Sequence, residues 1–137
     1  MIAYLLLLAF AGAEPASTLD VEFRGLRNAK GLVHVCLTQD RAHFPACEKD
    51  PHAITATAPA ASGHAVIAGF RPGTYAVTLF HDENANNKLD TMMGIPREGF
   101  GFSRDAVIRF GPPRYDKVAI NISPGIARLR VRLQYLL

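Results

Sequence analysis

No apolar run in this chain is long enough to span a bilayer in the usual way; the one continuous stretch, residues 2–10, reads IAYLLLLAF. Cysteine is scarce, with two in 137 residues. That excludes a disulfide scaffold and leaves room for one bridge. Neither sign of charge dominates: 15 basic residues face 12 acidic ones for a formal net charge of +3, too mild to point to nucleic acid. No window combines helical periodicity with capping signals, which excludes a coiled coil. A Gly-rich phosphate loop and a stacked aromatic–basic pattern are both missing, so neither nucleotides nor nucleic acid are indicated as partners. What remains is an ordinary globular composition, 49% hydrophobic and 20% charged, in a length that supports one domain with its own core.

The N-terminus suggests a compartment. After the apolar run, Ala11-Gly12-Ala13 has the small-residue pattern of a signal-peptidase site. Residues 1–13 read as a secretory signal, with cleavage after Ala13 or after Ala16. The stretch before the run has no Lys or Arg, so a buried first strand or a membrane anchor is the competing reading. No cysteine lies beside it to carry a lipid. The expected mature chain is exported, to the periplasm or beyond, with no transmembrane span. Cys36 and Cys47 fit that setting. Their separation, with Pro45 between them, is too wide for a zinc knuckle. In an oxidising compartment they would close a short loop; otherwise they are two unrelated thiols.

Two segments alternate strictly between apolar and polar residues. Leu19, Val21 and Phe23 alternate with Asp20, Glu22 and Arg24; Leu129, Val131, Leu133 and Tyr135 alternate with Arg128, Arg130, Arg132 and Gln134. Such alternation means strands with one wet face. The wet faces carry opposite charges, as expected if the first and last strands are neighbours. The arginines read as a solvated face or as a ligand patch. Residues 31–39, 53–58, 64–70, 73–82 and 117–122 are also strand-like, separated by turn signals such as Arg71-Pro72-Gly73 and Ser123-Pro124-Gly125. About seven strands spaced near ten residues predict an all-β fold, a single antiparallel two-sheet sandwich over residues 17–137, immunoglobulin- or prealbumin-like. Residues 84–113 break the rhythm. Their apolar content, Phe100, Phe102, Val107 and Ile108 among it, predicts a long irregular loop packed on the sandwich edge.

The stretch His81-Asp82-Glu83-Asn84-Ala85-Asn86-Asn87-Lys88-Leu89-Asp90 carries the sharpest chemistry. Oxygen donors fall at Asp82, Asn84, Asn86 and Asp90, and Lys88 stands where a calcium loop offers a backbone carbonyl. The sixth position, normally glycine for a left-handed turn, is Asn87, the best non-glycine substitute. The twelfth position is Met93 where an EF-hand has a bidentate acid, so Glu98 or Asp105 would have to fold back to complete the shell. Two acids within the motif imply weak affinity for Ca2+. The competing reading is an Asn/Asp turn whose side chains cap their own backbone.

The strand PGTYAVTLFHDENANNKLD, then GIPREGFGFS, then FGPPRYDKVAINI and a terminal alternating strand resemble the bacterial secreted family called domain of unknown function 2141. The likeness runs from about Gly31 to Tyr135; Asn87 stands where that family commonly has glycine. The resemblance implies a small exported β-sandwich and no particular activity. The strand signature is also similar to prealbumin-like and carboxypeptidase-regulatory-like sandwiches, which implies a binding or structural role.

Within GIPREGFGFS, Gly94, Gly99 and Gly101 suggest tight backbone turns, and Phe100 and Phe102 suggest core packing or the edge of a ligand groove. Arg97 and Glu98 point to opposite sides in an extended segment, which allows Glu98 to face the ion loop. Ser103 lacks a nucleophile-elbow context, and His34, His43, His52, His64 and His81 show no metal-ligand spacing. These observations predict a non-enzymatic envelope module that engages an envelope ligand or protein, with a calcium-type loop formed by Asp82, Asn84, Asn86, Lys88, Asp90 and Glu98. The rival is a small hydrolytic or metal-dependent enzyme using His81, Asp82 and Glu98. The enzyme requires those three to converge on a concave site.

Overall fold

The structure, a computed structural model, describes residues 15–89, 91–92, 95–108 and 111–137. The proposed signal segment, Asp90 and Met93 therefore lie outside the described residues. The architecture is all-β. Strands β1 (Ser17–Arg24), β2 (Leu32–Thr38), β3 (Ile54–Pro59), β4 (His64–Phe70) and β5 (Gly73–Asp82) follow in order. Then come the short β6 (Thr91–Met92), β7 (Ile95–Pro96), β8 (Phe100–Phe102) and β9 (Ile120–Ile122), and finally β10 (Gly125–Arg132). One sheet has the order β10-β1-β4; the other has β3-β2-β5-β8, with β9 also on β5, and β6 and β7 form a separate hairpin.

Period-two patterning decides which faces meet. Leu19, Val21 and Phe23 of β1, Val33, Val35 and Leu37 of β2, Tyr75, Val77 and Leu79 of β5, and Val131 of β10 are buried in one cluster between the sheets. Each such side chain contributes about 1.5–3 kcal/mol over its exposed state. The outward residues of β1 are half-buried or exposed and those of β10 are exposed, so this face of the sheet stays wet. The first and last strands are neighbours, Val21 beside Leu129 and Glu22 beside Arg130, but they run parallel. The sheet pairs are otherwise antiparallel. Side-chain alternation fixes a face and is silent on direction, so the parallel pair was not foreseen.

Residues 84–113 are less irregular than the sequence suggests. Phe100-Gly101-Phe102 forms β8 and extends the larger sheet, Phe102 opposite Thr78 and Phe100 opposite Phe80. Three residues are too few to show a period. Phe100 and Phe102 lie on the outer face of that sheet with Ala76, Tyr115 and Val118, in a second apolar cluster joined by Phe44 and Phe80. The expected strand over 117–122 is divided. Tyr115–Val118 is a single helical turn, α1, whose buried Tyr115 and Val118 lie three apart on one side, and only Ile120–Ile122 pairs as a strand.

Cys36 of β2 and Cys47 of the following helical turn form a disulfide, their Cα atoms 6.2 Å apart. Closing a loop of this length restricts the unfolded chain by about 3 kcal/mol in the chain-entropy view.

Two glycines of GIPREGFGFS serve approach rather than turning, as neither has a left-handed φ. A Cβ on Gly101 would stand 2.7 Å from Val131 Cγ1 and 2.9 Å from the Arg132 carbonyl oxygen. One on Gly99 would stand 2.5 Å from the Tyr135 ring. Glycine here lets β8 lie against the C-terminal strand of the opposite sheet. Phe100 and Gln134 exchange backbone hydrogen bonds across that junction.

Candidate functional site

The last two residues of β5, His81 and Asp82, are both fully buried. Successive strand residues project to opposite faces. His81 turns inward: Nε2 lies 2.6 Å from the Lys30 carbonyl oxygen and Nδ1 lies 2.8 Å from the Tyr135 hydroxyl. A carbonyl only accepts, so Nε2 carries the proton, and in the neutral ring Nδ1 accepts from Tyr135.

Asp82 turns outward and organises the loop. Its Oδ1 accepts from the Asn86 N–H at 3.0 Å, and its Oδ2 accepts from the Asn87 N–H at 2.7 Å and from His34 Nε2 at 2.8 Å. Asn84 Oδ1 also accepts from the Asn86 N–H at 3.3 Å, and Asn86 Oδ1 accepts from the Lys88 N–H at 2.9 Å. Side chains of this length reach a backbone N–H two residues on, which is why Asp and Asn build such turns. Asn87 is left-handed at φ 61°, as its place in the motif requires, and Ala85 is left-handed at φ 52°. Asn84, Asn86 and Lys88 are exposed.

Glu98 is buried and approaches the same loop from β8's side, where its Oε2 accepts from the Glu83 N–H at 2.7 Å. Asp105 does not join it; its Oδ1 accepts from the Arg132 N–H. The structure thus gathers Asp82, Asn84, Asn86, Lys88 and Glu98 around one turn. Among the described residues, no group of three His, Cys, Asp or Glu side chains is arranged to hold a metal ion. His81, Asp82 and Glu98 do not share a cleft, because His81 and Asp82 are divided by the sheet. A cleft of about 490 Å³ opens elsewhere, lined by Gln39, Asp50, His52, Arg71 and Tyr75 among others.

Around this turn lie residues that sequence reasoning did not single out. His34 bridges from Asp82 to Thr57, with Nδ1 2.9 Å from the threonine hydroxyl, and stacks on Phe80 at 4.6 Å between ring centres. Arg27 holds Glu83 through two bonds of 2.5 and 2.8 Å, while Asn28 donates to the same carboxylate. The Arg27 guanidinium also covers the Tyr135 ring at 4.6 Å and donates to the carbonyls of Arg97 and Leu137. The bond from Arg27 holds the Glu83 carboxyl below its usual range, and the same bond raises Arg27. Burial pushes the Tyr135 phenol up. All these contacts are made between segments far apart in sequence, so no local spacing announces them. Only the position of Tyr135 at the end of an alternating run was available.

A protein-family model described as "Uncharacterized protein conserved in bacteria (DUF2141)" matches residues 21–129. The chain belongs to this family. Among curated proteins and among solved structures, nothing matches the chain.

Proposed function

We propose that the protein is an exported, non-enzymatic module of the bacterial envelope that engages an envelope ligand or protein, and that its Asp/Asn loop takes a weakly bound calcium ion. One observation carries the ion: the loop has the turn that calcium-loop spacing calls for, with oxygen donors at Asp82, Asn84 and Asn86 and left-handed Asn87 at the sixth position. Asp82, Asn84 and Asn86 supply side-chain oxygens, Lys88 a carbonyl, and Asp90 and Glu98 the remaining acid groups. The Cys36–Cys47 bridge and the apolar N-terminus support export. The division of His81 from Asp82 supports a module over the rival enzyme.

Thermal melts in chelator, calcium and magnesium test the ion. With a Kd near 10⁻⁴ M, ten millimolar calcium adds about 2.7 kcal/mol. Magnesium adds less, because it dehydrates reluctantly and demands stricter geometry. A calcium shift no larger than that of sodium at equal ionic strength means that the loop only caps itself.

A further inference from the structure

The wet face of the β10-β1-β4 sheet has features that a solvated surface does not need. Arg128, Arg130 and Arg132 share this face with Arg24, Asp20 and Glu22 of β1, in the register Asp20–Arg128, Glu22–Arg130 and Arg24–Arg132. Glu22 is occupied by Arg24 and Arg130 at 3.1 and 3.0 Å, and Asp20 lies 3.1 Å from His64 of β4. The guanidinium groups of Arg128 and Arg132 have no hydrogen bond or ion pair among the described residues. Counting Asp105, whose carboxylate accepts from the Arg132 N–H at 2.9 Å, four arginines against three carboxylates leave an excess of one positive charge here, in a chain whose net charge is +3.

The same face carries two aliphatic side chains in the open. Ile126 of β10 is 77% exposed and Val66 of β4 is 60% exposed. Val66 is in register with Asp20, which is in register with Arg128, so they lie across one row of the sheet. A soluble polyanion would engage the arginines and leave Ile126 and Val66 in water. The headgroup boundary of an anionic bilayer takes both, phosphates on the guanidiniums and aliphatic groups at the acyl margin.

We propose that this face docks the protein on an anionic phospholipid surface, with Arg128 and Arg132 engaging headgroup phosphates and Ile126 and Val66 entering the headgroup boundary. The proposal is independent of the calcium loop, and it rests on export only for which membrane the protein meets.

Co-sedimentation of the exported protein with phosphatidylcholine vesicles, with and without phosphatidylglycerol, tests it. The difference between the two vesicles cancels any contribution from apolar N-terminal residues. Wild-type protein should partition onto the phosphatidylglycerol vesicles and come off with added salt. R128Q/R132Q should lose about thirtyfold in partitioning at an unchanged melting midpoint. R128K/R132K should keep it, and Ile126→Ser should weaken it while leaving its salt dependence unchanged. Equal partitioning onto both vesicles, or full partitioning by R128Q/R132Q, overturns the proposal. Binding to soluble polyphosphate without partitioning onto vesicles also overturns it, assigning the arginines to a soluble polyanion instead.

Discussion

His34 Nε2 donates to Asp82 Oδ2 at 2.8 Å, tying the middle of β2 to the final residue of β5 and through it to the loop backbone. Asp82 thus satisfies three N–H donors with one buried carboxylate. Asp82→Ala should cost roughly 2–4 kcal/mol, because three partly buried donors lose their acceptor together. His34→Gln should cost about 1 kcal/mol. Urea denaturation in chelator measures both. A loss below 1 kcal/mol for Asp82→Ala would mean that water replaces the carboxylate freely. Because the cap alone destabilises this variant, its lost response to added calcium is what reports on the ion.

On β10, Val131 is fully buried and Arg130 has an exposed side chain paired with Glu22. Val131→Ala should destabilise by roughly 1–3 kcal/mol, whereas Arg130→Ala should stay within about 0.5 kcal/mol. Equal shifts in denaturation midpoint would contradict the register of β1 with β10.

Adding one methyl at Gly101 should destabilise by roughly 1–3 kcal/mol, since the added Cβ meets backbone at Arg132 as well as Val131. Gly99→Ala meets the Tyr135 ring, and Tyr135→Ala should rescue it in part. An additive double variant, measured by chemical denaturation, would exclude that contact as the reason for glycine.

Acid should reveal the Arg27–Glu83 bond. The folded carboxyl is held below its ordinary value of 4.5, mainly by the hydrogen bond from Arg27. Its stabilisation is therefore complete above about pH 4.5, the unfolded range, and is lost as pH falls through the lower folded value. Glu83→Gln should flatten that limb of the stability profile and leave the slope above pH 5 unchanged. An unaltered acid limb in urea titrations would show that the bond contributes nothing in solution.

Export and oxidation are read together by intact mass. Protein recovered from the periplasm should lack the first thirteen or sixteen residues and weigh two hydrogens less than the dithiol. A full-length mass with both Cys36 and Cys47 open to alkylation would reject the compartment.

Much of the fold was legible because strand faces are a local property. The patterning of residues 64–70 and 73–82 coincides with β4 and β5, and Leu19, Val21 and Phe23 are buried as their alternation requires. Direction and short elements were not legible: β1 with β10 is a parallel pair, β8 is too brief for a period, and α1 interrupts a strand-like run. At the candidate site the turn was legible from the spacing of Asp82, Asn84 and Asn86. His34, Thr57, Arg27 and Tyr135 were not, because pairing register and chain crossing bring them there. Asn87 in the left-handed region was foreseen from its sixth place in the loop spacing and the tolerance of asparagine for that conformation.

The parallel pairing of β1 and β10 also governs the order of events in folding. Ser17 aligns with Gly125, so that contact closes a loop of more than a hundred residues before any reward is collected. A chain that crosses a membrane N-terminus first presents β1 long before β10 emerges. β1 can meet β4 early, but on the proposed export route the edge meant for β10 stays open through most of translocation, a template for pairing with another chain. The slow, non-local step is therefore the last one. A holdase that shields an exposed strand edge is the assistance this topology calls for.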